Sequence, residues 1–188
     1  MKKYAMIYDE NLCIGCQGCL VACKNENKVP DGVSRLEVHS NMKGSFPNLK
    51  IDFQRHSCVM CDESPCVDVC PTHASFKLDN GITMIDERTC IGCKYCILAC
   101  PYDARYVDPI THAVSKCTFC FDTRVGRGDE PACVSVCPTD ALIFGDLNDE
   151  NSFIRKVASQ NSLSFPKQEL GTKPKLAFIK NKKGGYYE

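Results

Sequence analysis

The chain has 188 residues, with 23 basic and 23 acidic side chains, so its formal net charge is zero. This balance gives no indication of a nucleic-acid or membrane-surface partner. The sequence contains no apolar run of about eighteen residues, so we expect no membrane span within it.

Two stretches of the chain share the cysteine spacing C-x2-C-x2-C-x3-C. The first contains Cys13, Cys16, Cys19 and Cys23, and the second contains Cys90, Cys93, Cys96 and Cys100. A short apolar strand is predicted before each group, over residues 3–8 and 81–85. A short helix is predicted to begin at the third cysteine of each group, over residues 20–24 and 97–99. This spacing is typical of the bacterial ferredoxin motif that binds [4Fe–4S] clusters.

Two further groups of four contain all the remaining cysteines. They are Cys58, Cys61, Cys66 and Cys70, and Cys117, Cys120, Cys133 and Cys137. Pro follows the last cysteine in three of the four groups, which is the Cys-Pro ending of the ferredoxin motif. The sixteen thiolates, four to a cluster, therefore predict four [4Fe–4S] clusters. One cluster could be structural, whereas four in a chain of this length indicate a conductor of electrons.

Disulfides and zinc are the two alternative uses of so many cysteines. Disulfide frameworks are typical of small secreted chains, but residues 1–9 lack the apolar core of a signal peptide. Four-cysteine zinc sites consist of two well-separated C-x2-C pairs. Cys90, Cys93 and Cys96 instead form a triplet, which suits a cubic cluster. The spacing therefore favours iron–sulfur clusters over both alternatives.

An internal repeat predicts the organisation of the fold. The sequence DENLCIGC at residues 9–16 recurs as DERTCIGC at 86–93, and CVDVCPTHA at 66–74 recurs as CVSVCPTDA at 133–141. Such repeats indicate duplicated supersecondary units. We predict an α+β fold of two bacterial-ferredoxin-like modules related by a pseudo-two-fold axis, one inserted in the other, with a C-terminal extension.

The module boundaries follow from which cysteine groups are close in sequence. Residues 52–106 hold the second and third groups and form the predicted inner module. Residues 1–27 and 107–147 hold the first and fourth groups and form the predicted outer module. The Lys-rich, cysteine-free tail over 148–188 is expected either to wrap a partner or to be disordered. Connections are expected at 24–57, 71–89 and 121–132.

The ferredoxin motif also predicts which cysteines share a cluster, because the fourth cysteine of each group ligates the other cluster of a pair. We number the predicted ligand sets 1 to 4. Set 1 is Cys13, Cys16, Cys19 and Cys137; set 2 is Cys117, Cys120, Cys133 and Cys23; set 3 is Cys58, Cys61, Cys66 and Cys100; set 4 is Cys90, Cys93, Cys96 and Cys70. No arrangement of Ser, His or carboxylate residues indicates catalysis, so no catalytic residue is predicted.

Other residues near the motifs have open roles. Glycines between the cysteines, at Gly15, Gly18 and Gly92, are expected where the backbone turns tightly. Four histidines occur singly and are expected to be hydrogen-bonding or surface residues; they are His39, His56, His73 and His112. Three tyrosines fit either packing around the clusters or an electron path; they are Tyr95, Tyr102 and Tyr106. Four cations either offset cluster charge, pair with a partner or are solvated; they are Lys94, Arg105, Lys116 and Arg124.

With all four motifs, residues 3–147 resemble the four-cluster electron-transfer subunits of the molybdopterin (dimethyl sulfoxide reductase) superfamily. The matching motifs are Cys13 to Cys19, Cys58 to Cys61 with Pro65 and Cys66, Cys90 to Tyr102, and Lys116 to Cys120 with Pro131 to Pro138. The short length and the sequence GTKPK at 171–175 are most similar to the B subunits of polysulfide and thiosulfate reductases. Cys93, which is Trp in nitrate reductase relatives, implies a four-iron cluster in set 4.

The resemblance implies a subunit of an oxidoreductase complex that is not an enzyme by itself. An integral membrane subunit would oxidise menaquinol, and a molybdopterin catalytic subunit would reduce polysulfide or thiosulfate. This chain would carry electrons between them, with set 1 nearest the molybdenum subunit and set 4 nearest the quinol.

The expected location is the periplasmic face of the cytoplasmic membrane, reached by export with the catalytic partner, and the cytoplasm is the alternative. Two other functions stay open. One is the same electron path in another molybdoenzyme or a hydrogenase complex, and the other is a free ferredoxin-like carrier.

Overall fold

The structure is a computed structural model that describes residues 2–181. The strands are β1 (Tyr4–Asp9), β2 (Leu36–Lys43), β3 (Lys50–Ser57), β4 (Ser75–Lys77), β5 (Thr83–Ile85), β6 (Arg105–Val107), β7 (Val114–Lys116), β8 (Leu142–Asp146) and β9 (Leu176–Ile179). The α-helices are α1 (Gly18–Glu26), α2 (Pro65–Asp68), α3 (Tyr95–Leu98), α4 (Ala132–Ser135) and α5 (Phe153–Gln160), and short 3₁₀ helices cover Val125–Arg127 and Gln168–Leu170. The result is the mixed helix and strand content that the sequence predicts.

Strand β1 lies at the centre of a three-stranded sheet. It pairs antiparallel with β8 along one edge and parallel with β9 along the other. Because successive side chains of a strand point to opposite faces, Met6 and Tyr8 pack into the cysteine-rich core. Ala5 and Ile7 lie on the opposite face, against Ile154 of α5. Both faces of β1 are therefore buried, which accounts for its nearly unbroken apolar sequence.

Strands β2 and β3 form an eight-residue antiparallel hairpin. The register pairs Leu36 with Ser57 at one end and Lys43 with Lys50 at the other. The expectation of a simple connection over 24–57 is wrong for this segment. Alternate residues near the end of the hairpin that contacts the core, such as Leu36 and Val38, are buried, and this period of two is the signal of a half-buried strand.

The helices next to the cysteine groups pack in the pairs that the module prediction requires. Helix α1 contacts α4, which joins the first and fourth groups, and α2 contacts α3, which joins the second and third. Helices α1 and α3 begin just before the third cysteine of their groups, after Gln17 and Lys94 in left-handed conformation. The predicted helices at 20–24 and 97–99 are therefore present, with slightly earlier starts.

Most of the cysteine-free tail is folded on the rest of the protein. Helix α5 covers the outer face of β1, and β9 extends the sheet of β1. The expectation of disorder is therefore wrong from α5 to residue 181, because its apolar residues complete this sheet. Residues 182–188 of the predicted tail lie outside the described residues.

Among residues 2–181, none of the helices has the length and apolar character that a bilayer-crossing helix requires.

Candidate metal centres

The sixteen cysteines all lie in the described part of the chain, and all of them are free thiols. Two of the predicted sets line cavities of their own. The cavity of set 1 is lined by Cys13, Cys16, Cys19 and Cys137. The cavity of set 4 is lined by Cys70, Cys90, Cys93 and Cys96. In each cavity, a triplet from one group meets the fourth cysteine of another.

The cysteines of set 2 are joined by a shared hydrogen-bond donor. The amide of Asn27 lies 3.7 Å from the sulfur of Cys23 and 3.5 Å from that of Cys120. The thiol of Cys23 also interacts electrostatically with those of Cys117 and Cys133. The fourth cysteine of the first group thus lies beside the fourth group, and not beside its own triplet.

Set 3 assembles in the same way around Cys61. Its sulfur interacts with those of Cys58, Cys66 and Cys100. Helix α2 begins at Pro65, immediately before Cys66, and Cys100 follows α3. The contact between these two helices therefore brings the second and third groups together.

Several of these thiols are buried where an ionised sulfur is costly. Burial raises the pKa of Cys61 and of Cys133 to about 12, with neighbouring thiols adding to the shift. Burial likewise raises the pKa of Cys23 well above that of a free thiol. Buried thiolates need a positively charged group to stabilise them, and metal ligation deprotonates thiols outright. These four-thiol donor sets therefore fit iron–sulfur clusters, whose ligands are cysteine thiolates.

The sets differ in their exposure to solvent. Cys16 of set 1 and Cys93 of set 4 are the two exposed cysteines of the chain. Set 2 is the most enclosed, because Cys23, Cys117, Cys120 and Cys133 are all buried. Sets 1 and 4 are thus the ones that present a sulfur at the surface.

The glycine prediction holds at Gly15 and Gly92 and is wrong at Gly18. Gly15 and Gly92 have φ of +68° and +65°, a conformation that other residues adopt only with strain. Gly18 is instead the first residue of α1. At Gly15 the N–H donates to the sulfur of Cys13 at 3.5 Å, and an added Cβ would overlap the ring of Phe53.

We expect Gly15→Ala to lower the free energy of unfolding by more than about 1 kcal/mol and to reduce the iron bound by set 1. The strain of the positive φ and the contact with Phe53 both displace the loop that carries Cys13 and Cys16. Gly32→Ala is the matched control, because Gly32 has φ of +80° but open space around it. Urea unfolding and iron analysis of both variants test this expectation. Equal losses in the two variants would contradict a specific role of Phe53.

Two of the four cations selected from the sequence lie among the thiols. Arg105 donates to the sulfur of Cys66 at 2.7 Å and also lines the cavity of set 4. Lys116 is fully buried and donates to the carbonyl oxygen of Cys117 at 2.7 Å. Lys94 is exposed, and Arg124 donates to the carbonyl of Glu130.

Arg55 is a buried cation that the sequence reasoning missed. It lies on β3, lines the cavity of set 1 and interacts with the sulfurs of Cys133 and Cys117 of set 2. Burial opposes its charge, but these sulfurs raise the pKa of Arg55 above its ordinary value. The available signal was its position two residues before Ser57 on the strand leading into the second cysteine group, where alternate residues point inward.

The tail also supplies contacts to set 3. Backbone N–H groups of Asp62 and Glu63 donate to the carbonyls of Lys173 and Thr172, at 2.9 and 3.1 Å. The hydroxyls of Thr172 and Tyr102 are hydrogen-bonded to each other at 2.6 Å. Tail residues therefore hold the loop that carries Cys61, a contact that sequence reasoning did not predict.

The remaining side chains have separate surroundings. Tyr102 is buried, Tyr95 is exposed and Tyr106 is partly buried, so packing accounts for Tyr102. His39 and His56 are near each other, with ring centroids 6.2 Å apart. His39 pairs with Glu37 at 3.1 Å, and a ring nitrogen of His56 lies 2.7 Å from the carbonyl of Tyr102. This grouping across β2 and β3 was not visible from histidines that occur singly in the sequence.

Known proteins match this chain over nearly its full length. A family model described as a 4Fe-4S dicluster domain matches residues 49–147, and a second model with the same description matches residues 12–74. The B subunit of polysulfide reductase from Wolinella succinogenes is 56% identical over 98% of this chain and 97% of its own length. Thiosulfate reductase electron transfer subunit PhsB of Salmonella typhi is 51% identical over 84% of this chain and 83% of its own. Protein NrfC of Escherichia coli strain K12 is 50% identical over 97% of this chain and 82% of its own.

Proposed function

The protein belongs to the 4Fe-4S dicluster family, together with the B subunit of polysulfide reductase, and from this membership we propose that it is the electron-transfer subunit of a respiratory reductase complex. It binds four [4Fe–4S] clusters, one in each of sets 1 to 4. When bound, such clusters supply one-electron transfer. The protein itself positions the clusters and sets their surroundings, and it breaks no bond of a substrate.

One observation carries this proposal: the four thiol sets follow one another through the molecule. Arg55 lies beside sets 1 and 2, Lys116 interacts with sulfurs of sets 2 and 3, and Arg105 lies beside sets 3 and 4. A single metal site needs no such series. The series supports a path that accepts an electron at one end and delivers it at the other, within two nested ferredoxin-like modules.

The exposed cysteines indicate where electrons enter and leave. Around Cys93 of set 4, Ile91, Tyr95 and Leu98 are exposed, with Leu98 retaining 83% of its accessible surface. Around Cys16 of set 1, Ile14 is exposed as well. Contiguous exposed apolar side chains mark protein–protein contacts. Sets 1 and 4 therefore lie at the two docking faces, and sets 2 and 3 lie between them.

The partners follow from the names of the relatives. The B subunit of polysulfide reductase and the PhsB subunit of thiosulfate reductase support a molybdopterin catalytic subunit that reduces polysulfide or thiosulfate. An integral membrane subunit oxidises the quinol and delivers electrons to set 4. The complex lies at the periplasmic face of the cytoplasmic membrane. Resistance of the chain to protease in intact spheroplasts, with digestion only after lysis, would contradict this location.

Purification at native expression tests the assignment to a complex. We expect the chain to co-elute with a molybdenum protein and a membrane protein, and to be reoxidised by polysulfide or thiosulfate after reduction with quinol. The isolated chain is expected to show no reductase activity with a chemical reductant, because it has no catalytic constellation. A stable monomer that exchanges electrons freely would favour a carrier, and turnover without a partner would make the chain an enzyme.

A further inference from the structure

Three buried cations occupy the spaces between consecutive thiol sets. Arg55, Arg105 and Lys116 retain only 3%, 6% and 1% of their accessible surface. Cationic side chains are almost never this buried without a paired anion. The acidic groups that pair with other cations of the chain, such as Asp62 and Glu26, do not pair with these three.

Arg55 separates sets 1 and 2. One of its terminal nitrogens donates to the hydroxyl of Ser57 at 2.5 Å. Within residues 2–181, its Nε and Nη2 atoms are buried and have no hydrogen-bond partner. The groups around it that can carry negative charge are sulfurs, those of Cys133 and Cys117 foremost. A buried guanidinium with free N–H groups indicates a negatively charged group beside it.

Arg105 has the equivalent position between sets 3 and 4. Its Nη2 donates to the sulfur of Cys66 at 2.7 Å and to the hydroxyl of Ser75 at 3.0 Å. Its Nη1 is buried without a partner among the described residues. Through the cavity that it lines, Arg105 also faces Cys96 of set 4.

Lys116 occupies the remaining space, between sets 2 and 3. Its Nζ donates to the carbonyl oxygens of Thr83 and Cys117. Burial lowers the pKa of Lys116, whereas the sulfurs of Cys58 and Cys117 raise it. Cys58 belongs to set 3 and Cys117 to set 2, so this side chain adjoins both.

We propose that Arg55, Lys116 and Arg105 act as redox-tuning residues, each one raising the reduction potentials of the two clusters that flank it. This inference rests on the proposed function, since it requires clusters in the four sets. A cluster gains negative charge when it is reduced, and a nearby buried cation stabilises that form. Because the sites are water-excluded, the effect is far less screened than at the surface.

The pairing of each cation with two clusters has a second consequence. When two adjacent clusters are both reduced, their negative charges repel each other. A cation between them offsets this repulsion, so the path is able to hold electrons on neighbouring clusters. A subunit that collects single electrons for a two-electron reduction needs this property.

Redox titration of the purified complex, followed by electron paramagnetic resonance, tests the inference. The charge-removing variants are Arg55→Met, Lys116→Met and Arg105→Met. Each is expected to lower the potentials of its two flanking clusters and to leave the other two nearly unchanged. The charge-retaining variants Arg55→Lys, Lys116→Arg and Arg105→Lys are expected to restore most of the shift. Lys94→Met is the matched control, because it removes an equal charge next to Cys93 at an exposed position, where water screens the effect.

The outcomes separate this inference from the proposed function. Wild-type protein without iron would refute the clusters themselves. Variants with wild-type iron content and unchanged potentials would refute the tuning role while leaving electron transfer intact. Equal shifts in all four clusters, or equal shifts in the Met and Lys variants of one arginine, would also refute it, since they indicate a general distortion. If a Met variant accumulates without iron, the Gln variant at that position and the Met variants at the other two decide the question.

Discussion

Removal of iron from the purified protein is expected to unfold both cluster-binding modules. The main core contains the thiols themselves: Cys23, Cys117 and Cys133 are buried within it. Trp is absent, and only 9% of residues are aromatic, so few large side chains can replace the lost metal contacts. When the ligand sites form only in the folded state, binding free energy becomes folding free energy.

Chelation under reducing conditions, followed by far-UV circular dichroism and amide hydrogen exchange, measures this effect. We expect loss of the helical signal and of protection in β1, which leads directly into the first cysteine group. Adding iron and sulfide back to the same sample is the control, and it should restore both signals. Four clusters correspond to sixteen iron atoms per chain. Native protection in an iron-free chain, or a protein rich in zinc and poor in iron, would overturn the expectation.

The cysteine sets were predictable from the sequence because their main determinant is local. Within a triplet such as Cys13, Cys16 and Cys19, the spacing fixes which sulfurs can face one point. The repeat of DENLCIGC as DERTCIGC then indicated that two units share one plan. The spacing also suggested the exchange of fourth cysteines, and the structure places Cys23 beside Cys117, Cys120 and Cys133.

The residues that sequence reasoning missed depend on contacts between distant segments. Arg55 reaches sets 1 and 2 only because the β2–β3 hairpin packs against both, and that hairpin lies in a segment expected to be a connection. Thr172 contacts Tyr102 across a separation of 70 residues. Neither contact leaves a local pattern, since a single Arg or Thr in sequence is usually a surface residue.

The four cations near the motifs show the same division. Proximity in sequence to cysteines was a sound guide for Arg105 and Lys116, which lie on β6 and β7 and point into the core. It failed for Lys94 and Arg124, because direction depends on the strand or loop that carries the residue. For a long charged side chain, burial is decided by the face it occupies.

Substitution of Cys93 is expected to stop electron transfer from quinol. Cys93 is exposed and belongs to set 4, beside the apolar face formed by Ile91, Tyr95 and Leu98. If set 4 is the point where electrons enter, Cys93→Ala removes its cluster, or lowers its potential, and quinol-driven reduction of the remaining clusters falls to background. An artificial donor that reaches the other clusters directly should still support reduction of the terminal acceptor.

Cys16→Ala is the matched control, because Cys16 has the same place in the repeated motif and is likewise exposed, but belongs to set 1. In that variant we expect quinol to reduce the remaining clusters normally, while delivery to the catalytic subunit stops. Rapid-mixing spectroscopy of the complex with quinol, and then with polysulfide or thiosulfate, separates the two steps. Normal quinol oxidation by a Cys93 variant that lacks its cluster would refute the proposed order of the path. If the two variants instead fail at the same step, sets 1 and 4 are not its two ends, and the exposed apolar face around Cys93 has another partner.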